Sequence, residues 1–283
     1  MTWLRNPWGR PRFLVVITAA YILWSVIPVA IAVLFAFNDG RSRTTWQGFS
    51  TRWFTGETGS VLHEPQLQGA LKHTLFLGLL CVLVAVPIGV ALALGLQRWA
   101  GRGAGSVNTV MLLPLVTPEI VMGVSLLLLF LQVFPFIGLG TTAQAIGQVT
   151  FTLSYVVVIV RGRLVSIGPE YEQAAADLGA PPFDQVRRVL LPLLAPAIVA
   201  SAAVVFALSI DDFVVTQYLA SDASTNTVSM LLYAGGRAAP TPALNALATI
   251  ALVITLATLL LAYLVYRRFA GGEDAAAVAT LEV

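Results

Sequence analysis

This 283-residue sequence has one cysteine, one lysine and two histidines. The lone Cys81 lies inside an apolar run, which excludes an intramolecular disulfide and a cysteine-based metal site. The lone Lys72 sits in Gly69-Ala70-Leu71-Lys72-His73-Thr74, not in the G-x-x-x-x-G-K-[ST] loop that cradles nucleotide phosphates. ATP hydrolysis by this chain itself is therefore not expected. His63 and His73 stand ten residues apart and fit no zinc-protease pattern, and no G-x-S-x-G elbow occurs. No catalytic residue and no metal ligand is predicted. Charge is also scarce, at 11% of residues with a net +2, which leaves no nucleic-acid signature. The first apolar run is too long for a cleavable signal peptide, and no small-residue cleavage site follows it.

Apolar residues are abundant, at 58%. A soluble domain of this size has no core large enough to hide them, so the composition predicts a polytopic membrane protein. A helical span needs about 20 apolar residues. Six runs qualify: 13–37, 71–96, 107–134, 144–164, 194–219 and 244–267. The fourth is the least apolar, diluted by Gln144, Gln148 and several Thr and Ser. All are too long for barrel strands, so an all-α bundle is predicted.

Six spans put both termini on one side, and positive charge indicates which. Arg5, Arg10, Arg12, Arg98, Arg102, Arg161, Arg163, Arg187, Arg188, Arg267 and Arg268 fall on one side, against Arg41, Arg43, Arg52, Lys72 and Arg237 on the other. Both termini are thus expected in the cytoplasm. The organisation predicted is a cytoplasmic N-terminus (1–12), a transmembrane domain (13–268) and a disordered cytoplasmic tail (269–283). Trp46, Phe49, Trp53 and Phe54 in the external segment 38–70 read as an interfacial aromatic belt.

Between spans four and five lies a polar island, 169–192, on the cytoplasmic side. Pro169 suits a first helical position. Glu170 and Glu172 favour the positive end of a helix dipole. Gly179 is placed to end that helix in the left-handed conformation. Pro181-Pro182 then starts a second short helix, and Pro192 marks entry into span five. Ala174, Ala175, Ala176 and Ala180 make the first helix thin enough to enter a groove on a partner, whereas an amphipathic loop on the membrane surface would explain the helices alone.

The pattern Gln173-Ala174-Ala175, Gly179, Val189 and Leu191-Pro192 resembles the EAA-x3-G-x9-I-x-L-P loop of ABC-importer permeases. Gln173 replaces the usual Glu, and Glu172 lies one place earlier. Leu208-Ser209-Ile210-Asp211-Asp212-Phe213-Val214, Thr227 to Tyr233 and Asn245 to Ile250 resemble the PotC-type permeases of spermidine/putrescine importers, over roughly residues 65–268. The resemblance implies a type I, MetI-like core in a bacterial inner membrane. It implies coupling to a separate ATPase through Glu172, Gln173, Ala174, Ala175, Asp177, Gly179, Leu191 and Pro192. The implied partners are a second, PotB-like permease, two ATP-binding subunits that hold ATP and Mg, an extracytoplasmic substrate-binding protein and membrane lipid. No cofactor is implied on this chain. Importers of an aminophosphonate, sugar or amino acid, or an ATPase-independent channel or membrane enzyme, stay open as alternatives.

Glu119, Asp211 and Asp212 are the acidic residues inside the predicted spans, where a carboxylate tends to face a partner or a watery path. Asp211 stands roughly 25 Å along span five, toward the external half. A carboxylate there attracts a cation, and Phe206, Phe213 and Tyr218 can add cation–π contacts. Asp211 and Asp212 point about 100° apart on one helix, so they cannot face one lumen equally. Pro118 and Pro114 predict a kink beside Glu119. Gly235-Gly236 with Pro240 and Pro242 predict an irregular external loop, and Gly78, Gly89 and Gly95 predict close helix packing in span two.

Overall fold

A computed structural model describes residues 12–42, 45–56, 58–98, 101, 103–238 and 241–269. The expectations placed on residues 1–11, Arg43, Arg102, Pro240 and the tail from 270 lie outside the described residues. Among those described there is no strand, only an isolated bridge between Asn38 and Phe49. Five helical runs are long and apolar enough to cross a membrane, or six if one sharply bent pair counts as a span. Apolar runs become helices here because lipid offers backbone N–H and C=O groups no other partner.

Helix α1 is Arg12–Ala36, and α2 is the single turn Arg52–Thr55. Helix α3, Pro65–Arg98, starts six residues before its predicted span because Pro65 can begin a helix without losing a hydrogen bond. The third predicted span is divided. Helix α4, Ala104–Val116, and α5, Glu119–Leu128, with α5 prolonged by a wide π-type turn to Val133, meet at 110°. The predicted kink is therefore a corner. Thr117 and Pro118 are extended (ψ 129° and 132°), which is the conformation that a residue before proline prefers.

Helix α6, Thr141–Ile167, is the most buried of the long helices, although its sequence is the least apolar. Helix α7 is Glu170–Asp177, and α8 is Pro182–Asp184. Through a π-type segment, Gln185–Leu190, α8 runs without a break into α9, Leu191–Asp211. The predicted boundary at Pro192 is thus absent. A wide turn just before a proline gives its ring room and leaves no carbonyl waiting for the missing N–H. Span five itself ends earlier than predicted: α9 stops at Asp211 and a separate α10, Val214–Leu219, follows. Helix α11, Val228–Ala238, contains Gly235 and Gly236, which corrects the irregular loop predicted there. Helix α12, Pro242–Phe269, completes the chain.

Helices α3, α6 and α9 form the central bundle. Cys81, Ala85, Val86, Val90 and Ala93 of α3 meet Val156, Val160 and Leu164 of α6, and Leu194 and Val205 of α9. Small residues let the backbones approach. A Cβ on Gly89 would lie 2.6 Å from Val156, and one on Gly78 3.1 Å from Phe206. Gly95 faces open space, so close packing explains only two of the three glycines.

The segment between α1 and α3 is a folded cap, in which Trp46 and Phe49 are exposed and Trp53 and Phe54 turn inward. Trp53 is buried and donates its indole N–H to the Asn38 carbonyl at 2.7 Å. The Asn38 side chain accepts from Gln47 N at 2.7 Å and donates to the Ser42 and Thr45 carbonyls. Phe37 stacks on Phe49 and touches Phe54. Trp53 and Val61 pack with Ala246 and Leu247, sealing this end of α12. Phe49, by contrast, remains 73% exposed.

Gly89→Val should destabilise the protein by about 1–3 kcal/mol through overpacking against α6. Gly95→Ala should keep or raise the melting temperature in detergent, because nothing stands in the way of the new Cβ and alanine is the better helix former. Equal melting temperatures for the two variants would contradict this packing.

Candidate coupling and substrate-path sites

The polar island folds as its sequence predicts up to Gly179. Glu170 and Glu172 occupy the first turn of α7. Gly179 has φ +82°, and its amide bonds to the Ala176 carbonyl at 2.8 Å, while Ala180 N reaches the Ala175 carbonyl at 3.0 Å. This nested pair is the Schellman stop, which needs a residue that tolerates positive φ. Gly168, at φ +76°, makes the corresponding turn before α7.

The two faces of α7 differ. Ala175 is buried against the body, and Glu172 turns the same way, with its carboxylate 2.7 Å from the Arg98 guanidinium at the end of α3. Gln173, Ala174, Ala176 and Asp177 are exposed. So are two large apolar side chains absent from the predicted set: Leu178 at 89% and Phe183 at 72%. Both follow or flank the Schellman turn, and a solvated loop has no reason to present them. Leu191 is half-buried and Pro192 exposed, on the run into α9. The structure thus brings Gln173, Ala174 and Asp177 together on one outward surface and places Glu172 behind it.

The second site lies at the other end of α9. Asp212 leaves the helix (ψ 120°), and its carboxylate accepts from Val215 N at 3.2 Å, Thr216 N at 3.0 Å and the Gln148 carboxamide at 3.2 Å. It caps the start of α10 in the way a helix N-terminus favours. The Asp212 carbonyl, freed by the break, accepts from Ser229 Oγ at 2.7 Å and Thr216 Oγ1 at 3.0 Å. Asp211 faces elsewhere. It is exposed and lines a groove of about 440 Å³ with Leu208, Ser229, Ala248, Leu252 and Thr255, between α9, α11 and α12.

Glu119 is exposed in the first turn of α5, just past the corner. Phe213 lies 4.3 Å from the Tyr233 ring, over which the Arg237 guanidinium sits at 4.5 Å. Tyr218 packs on Gly123, where a Cβ would come within 2.8 Å of its ring. Phe206 is buried against Gly78 and offers no face to a ligand. Asp212 and Phe213 thus sit together at the break, Tyr218 holds α10 to α5, the helix that begins with Glu119, and Asp211 stands apart.

The residues that hold the break together were read in the sequence only as dilution of a span. Gln148 is fully buried. Besides Asp212, it donates to the Ser209 carbonyl at 3.2 Å and accepts from Ser209 Oγ at 2.6 Å and Cys81 Sγ at 3.2 Å. Gln144, one turn earlier, donates to the carbonyls of Thr216 and Thr225 and contacts His73 Nε2 at 2.8 Å. The signal was available: Gln144, Gln148 and Thr152 recur every four residues, which puts them on one helix face.

The sequence matches the family of binding-protein-dependent transport system inner membrane components over residues 85–272. It is 34% identical to the spermidine/putrescine transport system permease protein PotC of Escherichia coli (strain K12), over 88% of this chain and 92% of that protein. It is 32% identical to the putrescine transport system permease protein PotI of the same strain, over 88% of this chain and 87% of the relative. Its fold is similar to a chain of a bacterial ABC transporter involved in the import of the acidic polysaccharide alginate. That match has a TM-score of 0.75 at 19% identity and covers 95% of this chain and 96% of the other.

Asp212→Ala should destabilise the protein by about 1–3 kcal/mol, because it leaves buried donors unpaired. Asp211→Asn should change stability by less than about 0.5 kcal/mol. Thermal melts in detergent compare the two, and equal losses would mean that Asp212 does not organise the break.

Proposed function

The chain belongs to the binding-protein-dependent transport system inner membrane components and is a transport permease, not an enzyme; we propose that it imports spermidine or putrescine as one subunit of an ATP-driven transporter. The similarity to PotC and PotI along almost nine-tenths of the chain carries the choice of solute. The exposed carboxylate of Asp211 in the groove between α9, α11 and α12 supports it, because a carboxylate beside a path attracts a cationic amine. Asp211, in its own groove, is the carboxylate free to meet solute, whereas Asp212 is engaged in holding α10.

The island is the coupling element. Its outward surface, Gln173, Ala174, Asp177, Leu178 and Phe183, docks on an ATP-binding subunit, which holds ATP and Mg. Leu191 and Pro192 carry the displacement into α9. A second, PotB-like permease completes the path, and a binding protein delivers solute on the side of the cap. Both termini and the island face the cytoplasm, as the arginine bias requires. The mechanism is alternating access: closure of the ATPase dimer moves α7, the helices switch between inward- and outward-facing arrangements, and hydrolysis resets them.

Uptake of labelled spermidine by cells lacking only this chain tests the reading. Uptake should be lost and restored by re-expression. Asp211→Asn should lower it about tenfold, the effect of about 1.4 kcal/mol on the transport barrier, without lowering the amount of assembled complex. Gly179→Val should abolish uptake, because a β-branched residue resists the left-handed turn that ends α7. Unchanged uptake without the chain would refute the polyamine assignment.

A further inference from the structure

Helix α7 is joined to the rest of the chain in an unusual way. Positive-φ glycines lie on both sides of it, Gly168 before and Gly179 after. Beneath it is an open pocket of about 320 Å³, lined by Leu94, Arg98, Leu164, Pro169 and Leu190. Dense packing therefore does not fix α7 to α3. Among the described residues, the ion pair that crosses the gap is Arg98 Nη2 to Glu172 Oε1 at 2.7 Å, with both side chains partly exposed (41% and 26%). Arg98 is the last residue of α3, a continuous helix of 34 residues. The far half of α3 carries the groups that reach the break region. His73 contacts Gln144, Thr74 accepts from Val228 N at 2.9 Å, and Cys81 donates to Gln148.

We infer that the Arg98–Glu172 ion pair is a strut that passes displacement of α7 to α3, and through α3 to the polar network around Asp212. Glu172 is then a positioning residue inside this chain, not a contact with the ATPase. Pro87 interrupts the hydrogen-bond ladder between Arg98 and Cys81, but Val86, Val90 and Ala93 on either side of it pack into one core with α6 and α9, so a pull at Arg98 moves His73, Thr74 and Cys81 together. A partly exposed ion pair contributes little to stability. Its removal should leave the fold and the docking surface intact and affect only the linkage between ATP use and transport.

This inference rests on the docking of an ATP-binding subunit proposed above, and the experiment separates the two. The complete transporter, reconstituted in liposomes, is made with Arg98→Glu, with Glu172→Arg, and with both. The readouts are subunit composition, ATP hydrolysis and spermidine taken up per ATP. Each single variant should keep its full subunit complement and lower uptake per ATP by about fivefold or more, the lower end of a typical coupling energy. The double variant, which restores opposite charges, should recover most of that loss. Single variants with unchanged uptake per ATP, or a double variant no better than the singles, would overturn the strut. Loss of the ATP-binding subunit from the single variants would also overturn it, by making Glu172 and Arg98 part of the docking contact. A wild-type chain that assembles with no ATP-binding subunit would instead refute the proposed function.

Discussion

One carboxamide holds the membrane bundle in register. Gln148 projects from α6 into the central bundle, is fully buried, and has both its ends in use. Its oxygen accepts from α3 and α9, and its nitrogen donates to α9 and to the Asp212 carboxylate beyond it. In hydrocarbon such a group must be satisfied by protein. Sliding α9 by one turn would leave the buried amide and the Ser209 hydroxyl unpaired together, and sliding α3 would free the Cys81 thiol. Gln144 repeats the arrangement one turn away, binding α3 through His73 and the segments around α10 through two carbonyls.

A fixed centre sets where the molecule can move. The apolar cluster of α3, α6 and α9 and the two glutamines make a frame with short separate helices at its ends. At one end, α7 lies between two positive-φ glycines above an open pocket and packs on the segment that leads into α9. At the other, α10 is a short helix held by an aspartate cap and by Tyr218 against Gly123. Alternating access needs discrete elements that shift against a rigid body. Here those elements are connected through the frame by a helix that runs from Arg98 to the residues around Thr74.

Much of this was legible in the sequence. Apolar run lengths gave the long helices, because a span must satisfy its backbone internally whatever its side chains. Pro169, Glu170, Glu172 and Gly179 gave α7, since helix ends have local chemistry. What failed depended on tertiary partners or on how a proline is housed. Pro118 makes a 110° corner, whereas Pro192, which follows a wide turn, makes no visible break. Gly235 and Gly236 read as loop, yet they lie inside α11, and Gly235 packs closely against Leu244. Asp212 read as part of a span because the partners of its freed carbonyl and carboxylate, Ser229 and Gln148, are distant in sequence. Gln144 and Gln148 weakened a hydropathy argument for the same reason that they strengthen the structure: they are polar, and they are buried only because they meet each other's neighbours.

The claim that motion passes through a rigid frame is tested most directly by spin-label distances in the assembled transporter, with and without a non-hydrolysable ATP analogue. One pair of labels, at the exposed positions Leu83 and Val158, spans the frame; the other, at Asp177 and Leu83, spans the frame and α7. Because the Arg98–Glu172 pair carries α7 and α3 together and the buried glutamines tie α6 into the same bundle, the account predicts that both distances stay the same in the two states, and that Arg98→Glu frees the Asp177–Leu83 distance to change while Leu83–Val158 stays fixed. A wild-type Asp177–Leu83 distance that shifts by several ångströms, or a Leu83–Val158 distance that moves at all, would contradict it.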